Sequence, residues 1–114
     1  MATRANIHVV DNDNDSGVWL YQHWDGYELS AVLQRALAKR WRWDDSQYLT
    51  RIIFSEMIKD NVDEESGFGI SSQPWDGDTR LVVNVRNQTV SNGQNTWSFE
   101  EYLSADPEEV WEGR

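Results

Sequence analysis

Tyr21, His23, Asp25 and Tyr27 stand at alternate positions, with His23 and Asp25 at the mouth of a turn. A histidine beside a carboxylate is the minimum for general acid–base work, with the carboxylate orienting the ring. The two phenols add ring and hydroxyl contacts, and Arg35 or Arg42 could hold a phosphate, so the four residues form a candidate pocket for a nucleotide signal. No nucleophile or metal-ligand set accompanies the pair. His8, the other histidine, falls on the neighbouring strand and is expected near His23 across a hairpin. Asp25-Gly26 is equally well explained as turn chemistry, with the aspartate closing the loop and the glycine taking positive φ. The pair is therefore read as structural, and no catalytic residue is assigned.

Two further patterns carry weaker chemistry. Asp11-x-Asp13-x-Asp15 has the first three ligand positions of a calcium loop, but Ser16 and Gln22 stand where that loop needs glycine and glutamate. A polar hairpin turn accounts for it, and neither metal nor cofactor is expected. Seven tryptophans accompany four tyrosines and three phenylalanines. Trp19, Trp41 and Trp97 fit a core, since each ring buries a large area. Trp43, Trp75 and Trp111 sit beside Asp44, Asp76 and Glu112 in loop or tail sequence, where an exposed ring is a natural anchor for a protein partner.

The elements that must position these residues are short. Residues 4–10 alternate around Ile7 and Val9 and predict a strand, Asp11 to Gly17 a turn, and residues 18–23 a second strand with Trp19, Tyr21 and His23 on one face. From Glu28 to Trp41 the spacing becomes helical, with Leu29, Val32, Leu33, Ala36, Leu37 and Trp41 on one stripe and Arg35, Lys39 and Arg42 opposite. Asp44, Asp45 and Ser46 offer caps for a second helix that buries Leu49, Ile52, Ile53, Met57 and Ile58. Residues 68–72 and 80–86 read as strands, and Asn92-Gly93 predicts a hairpin pairing 89–91 with 95–97. Ser98-Phe-Glu-Glu101 matches a capping box for a short helix. The expected fold is a single α+β domain over residues 1–103, ordered ββααβββα, with an antiparallel sheet of about five strands and two main helices on one face. Residues 104–114 are expected to form an acidic, loosely held tail.

Composition narrows the partners. The chain has 114 residues, 20 acidic and 10 basic side chains, no cysteine and a net charge of −10. One domain is expected at this length, and the missing cysteines exclude disulfides, thiolate zinc sites and a cysteine nucleophile. Neither a membrane span nor a signal peptide is legible, so a soluble intracellular domain is the expectation. A chain this negative is repelled by nucleic acid and by anionic membranes, unless its cations cluster. Arg35, Lys39, Arg40, Arg42 and Arg51 do cluster, and a solvated helix face accounts for them. The acids fall in blocks: Asp60, Asp63, Glu64, Glu65, Asp76 and Asp78 without a single base, then Glu100 and Glu101 and the tail.

The opening segment Thr3-Arg4-Ala5-Asn6-Ile7, followed by Leu20-Tyr21-Gln22-His23-Trp24-Asp25-Gly26-Tyr27, resembles a family of small proteins encoded by phages and mobile elements. Glu28 stands where that family usually carries proline. The likeness covers about the first forty residues, with a similar layout through Trp97 to Leu103, and the family has no settled biochemical activity. What the resemblance implies is a phage or prophage setting in the cytoplasm of a bacterial host. Together with the acid blocks it leads to one expectation: an anti-CRISPR-like inhibitor of a host defence complex that imitates nucleic acid and blocks its binding groove. The partner contacts would be Asp60, Asp63, Glu64, Glu65, Trp75, Asp76, Asp78, Glu100, Glu101 and Trp111. A nucleotide-binding protein using Tyr21, His23, Asp25 and Tyr27 is the alternative, and an acid–base enzyme using His23 and Asp25 a more distant one.

Overall fold

A computed structural model describes residues 3–74 and 78–113, with only the backbone for 78–80. The strands are β1 (Ala5–Val10), β2 (Val18–Gln22), β3 (Phe68–Ser71), β4 (Asp78–Asn84), β5 (Thr89–Ser91) and β6 (Thr96–Ser98). The α-helices are α1 (Leu29–Ala38), α2 (Ser46–Ile58), α3 (Phe99–Tyr102) and α4 (Pro107–Glu112), and a 3₁₀ turn at Gly26–Glu28 leads into α1. The class is α+β, as the sequence predicts, but the sheet has six strands in the order β3-β2-β1-β4-β5-β6 and is mixed.

The departure lies at its centre. β1 pairs with β4 in parallel, while every other neighbour is antiparallel. The intervening β2, α1, α2 and β3 form the long crossover that a parallel pair requires. Alternation is identical for parallel and antiparallel neighbours, so Leu81, Val83 and Val85 could reveal a buried face but not the direction of the strand beside it.

Ile7, Val9, Leu20, Leu81, Val83 and Val90 form one apolar face of the sheet, and they share a single core with Leu29, Leu33 and Leu37 of α1 and Leu49 and Ile53 of α2. Asp45 caps α2 by accepting from the backbone N–H of Gln47 and Tyr48. Ser98 and Glu101 close the expected capping box on α3.

α1 ends at Ala38, short of the predicted Trp41. Arg40 and Arg42 take φ of 59° and 56°, and these left-handed residues swing the chain so that the two following rings exchange roles. Trp41, expected in the core, is 57% exposed. Trp43, expected outside, packs against the core, donates from Nε1 to the Leu37 carbonyl at 3.1 Å and meets Phe99 edge-on.

The carboxy-terminal segment, read as a loose tail, carries α4. Asp106 caps it and Pro107 opens it. Val110 is buried, and its carbonyl accepts from Asn92 Nδ2 at 2.9 Å. Val110, with Ala105 and Trp111 packed against the same core, fixes the segment among its acids. A charge count alone does not register it.

Candidate functional site

The alternation expected for β2 places Trp19 and Tyr21 on the sheet face opposite Leu20, which is in the core. His8 faces Trp19 and not His23: the two rings stack 3.9 Å apart, and His8 Nε2 donates to the Ser16 carbonyl at 2.7 Å. His23 lies one step beyond the strand. Its Nδ1 is 2.8 Å from the Tyr21 hydroxyl, its ring meets Trp24 edge-on, and its backbone N–H donates to the Gly67 carbonyl. These contacts anchor the imidazole within the fold.

At the turn the expected division of labour is reversed. Asp25 holds the left-handed conformation, with φ of 55°. Gly26 is required for close approach: its N–H donates to the Thr3 carbonyl, and a Cβ would stand 2.5 Å from that oxygen. Beyond the turn Tyr27 is 52% exposed and lines a groove with Arg35 that Asp25 does not line. Tyr21, His23, Asp25 and Tyr27 therefore do not enclose one cavity. Tyr21 and His23 bond to each other, Asp25 lines one concavity and Tyr27 another.

Those two concavities meet at Glu28 and organise the acidic surface. The first, about 300 Å³, lies between the 23–28 turn and the loop after α2; Trp24, Asp25, Glu28, Asn61 and Glu64 line it. The second, about 650 Å³, runs between α1 and α4, with Tyr27, Glu28, Glu108, Trp111 and Glu112 along its walls. Three segments distant in sequence thus bring Glu64, Asp25, Glu28, Glu108 and Glu112 along one path. Asp60, Asp63 and Glu65 are exposed on the same loop as Glu64. The negative field is felt by a neighbour: Asp25, with Glu28 behind it, pushes the Tyr27 phenol above its ordinary value.

Other predicted contacts are used locally. The Glu100 carboxylate accepts two hydrogen bonds from the Arg40 guanidinium, the Nη2 bond at 2.7 Å, and this pairing holds it below the usual carboxylate range. Glu101 is consumed by the capping box. Neither faces the path through Glu28. Trp111 is half-buried in the α1–α4 groove. Trp75 and Asp76 lie outside the described residues, as does the side chain of Asp78. Reading the sequence by blocks of acids did not join Glu28 to Glu108, because only the fold brings the start of α1 beside α4.

The cations are gathered elsewhere. Glu56 of α2, 5% exposed at its side chain, receives Arg35 at 3.3 Å, Lys39 at 3.6 Å and Lys59 at 2.7 Å. The hydrogen bond from Lys59, then that from Arg35, holds the Glu56 carboxyl below its ordinary value against the cost of burial. Arg42 lies over the Tyr48 ring, 4.4 Å from its centre. The stripe opposite the core is therefore largely paired with its own protein.

Asp13 and Asp15, which suggested calcium, serve the turn: Asp13 Oδ1 accepts from Asn84 Nδ2 and Asp15 Oδ2 from the Asp11 N–H. Among the described residues no three ligating side chains gather as a metal site, and no helix is long and apolar enough to cross a membrane. Comparison of the chain with known protein families, with curated proteins and with solved structures finds no match.

Proposed function

We propose that this protein is a phage-type, anti-CRISPR-like inhibitor that occupies the nucleic-acid-binding groove of a host defence complex, in the bacterial cytoplasm, through its acidic surface. The observation that carries the reading is Glu28, which joins the 61–66 loop, the 25–28 turn and α4 into one anionic path flanked by exposed rings. Carboxylates so spaced offer a cationic groove the charge-assisted hydrogen bonds it ordinarily makes to phosphates. Trp24 and Tyr27, each 52% exposed, supply the apolar anchors typical of binding hot spots. Binding is by occupancy, one to one and without turnover, and its association rate falls steeply with salt.

The test is capture of nucleic-acid-binding proteins from a bacterial lysate, followed by challenge with duplex DNA. A partner released by DNA, and lost as salt rises from about 50 to 200 mM, supports the reading. Reversing Glu28, Glu64, Glu65 and Glu108 to lysine should abolish capture. Undiminished capture by that variant would sink the proposal.

A second reading has one observation in its favour: Tyr27 and Arg35 line the same groove, as a ring and a phosphate-binding group of a nucleotide pocket would. A rise in melting temperature with added nucleotide would select it, since a ligand of the native state stabilises by mass action.

A further inference from the structure

We propose that the groove between α1 and α4 receives a single arginine side chain of the protein partner, its guanidinium lying between Tyr27 and the carboxylates of Glu28 and Glu108. This deepens the inhibitor reading above and rests on it for the identity of the partner, though not for the chemistry of the groove.

The walls suit a planar cation. Tyr27 presents about half of its surface to solvent at one side of the groove, and the Trp111 indole lies in the wall formed by α4. Glu28 and Glu108 border the same space, and neither takes part in an ion pair among the described residues. Arg35 also lines the groove, but its Nε is directed to Glu56 at 3.3 Å, on the α2 side. The groove therefore has two carboxylates with no ion-pair partner among the described residues, and the one ion pair of its resident cation is made through Nε to Glu56. An anionic ligand would have to displace that pairing and approach Glu28 and Glu108 together.

The site is held ready. α4 is fixed by Val110 in the core and by the Asn92 bond to its carbonyl. α1 is tied to α3 by Tyr102, whose hydroxyl donates to the Ser30 carbonyl at 2.9 Å. Walls already ordered lose little entropy on binding. Arginine is favoured over lysine because its flat, weakly hydrated guanidinium can stack on a ring while its fork of N–H donors engages carboxylates, whereas an ammonium is compact and strongly hydrated.

The experiment is titration of the full chain with acetylated, amidated tri-arginine, tri-lysine and, separately, AMP, followed by NMR of the backbone amides and the Trp111 indole N–H. Tri-arginine should produce saturable shifts centred on Tyr27, Glu28 and Trp111. Tri-lysine should bind several-fold more weakly. Glu28→Gln with Glu108→Gln should weaken tri-arginine about tenfold or more, with the dispersion of the spectrum retained. Tyr27→Leu should erase the preference for arginine while leaving the charge-driven part. Equal shifts with tri-lysine, shifts confined to residues 60–65, or AMP binding in the groove would each overturn the proposal. If tri-arginine binds and DNA-displaceable capture fails, the inhibitor reading falls and the arginine groove stands. If capture succeeds and tri-arginine leaves the groove untouched, the groove falls alone.

Discussion

Replacing Glu56 by glutamine removes the charge on which three cations converge while keeping the shape of the side chain. Its carboxylate is 5% exposed, so water cannot substitute for the lost partners, whereas Arg35, Lys39 and Lys59 keep 52%, 38% and 53% of their side-chain surface in solvent. Each of these half-solvated pairs is worth about 0.2–1 kcal/mol. Their sum, with the added repulsion among three neighbouring cations, gives a loss of about 1–2 kcal/mol, or about 4–8 °C in melting temperature for a domain of this size. The acid dependence follows from the direction of the Glu56 shift. Because the folded carboxyl titrates below its ordinary value of 4.5, its contribution is complete above that pH and is lost as pH falls through the folded value. Urea unfolding of both proteins at a series of pH values measures this directly. The difference should be full at neutral pH and shrink in acid below the ordinary glutamate value. Coincident unfolding curves at neutral pH, or a difference that persists unchanged in strong acid, would refute the assignment of Glu56 as the charged hub of the helical pair.

The exchange of Trp41 and Trp43 predicts opposite consequences for similar substitutions. Trp41→Ala should change stability by less than about 0.5 kcal/mol, whereas Trp43→Ala, which empties space against Phe99 and Leu37, should cost about 2–4 kcal/mol in chemical denaturation. Tyr102→Phe should cost about 1 kcal/mol by leaving the Ser30 carbonyl without its donor. Burial also pushes the Tyr102 phenol far above its ordinary value of 10.0, so the wild type should lose stability as pH rises above that value, and the phenylalanine variant should lack this contribution. Deleting residues 107–114 should lower the melting temperature by several degrees, since it uncovers the core around Val110 and leaves Asn92 Nδ2 without its acceptor. An unchanged thermal transition would mean that α4 does not support the domain.

Where a feature of this chain is decided by neighbours in sequence, its reading from sequence is close. The capping box at Ser98 and Glu101, the Asp45 cap and the Asn92-Gly93 hairpin each involve groups within a few residues, and each forms. The end of α1 was less accessible, because the apolar stripe continues in spacing to Trp41 while the backbone leaves the helix at Lys39. Left-handed φ at Arg40 and Arg42 is a choice that side-chain periodicity does not encode. It becomes favourable through long-range contacts such as Trp43 on Phe99 and Arg40 on Glu100. The parallel pairing of β1 and β4 is long-range in the same sense.

The charge pattern is the case where local reading misleads most. Counted along the chain, Glu100 and Glu101 continue an acidic block; in the fold one is neutralised by Arg40 and the other is spent on a cap. Residues 35–59 hold six of the ten cationic side chains and only three acids. Three of those cations, together with Glu56, close a charge cluster between α1 and α2. Drawing Arg35 towards Glu56 has an effect on the other side of α1, because the same guanidinium lines the groove where Glu28 and Glu108 lie. A cation free to turn towards those carboxylates would neutralise them from within. Held by Glu56, it leaves their field directed outwards, so the pairing that steadies the helices also keeps the anionic path available to a partner.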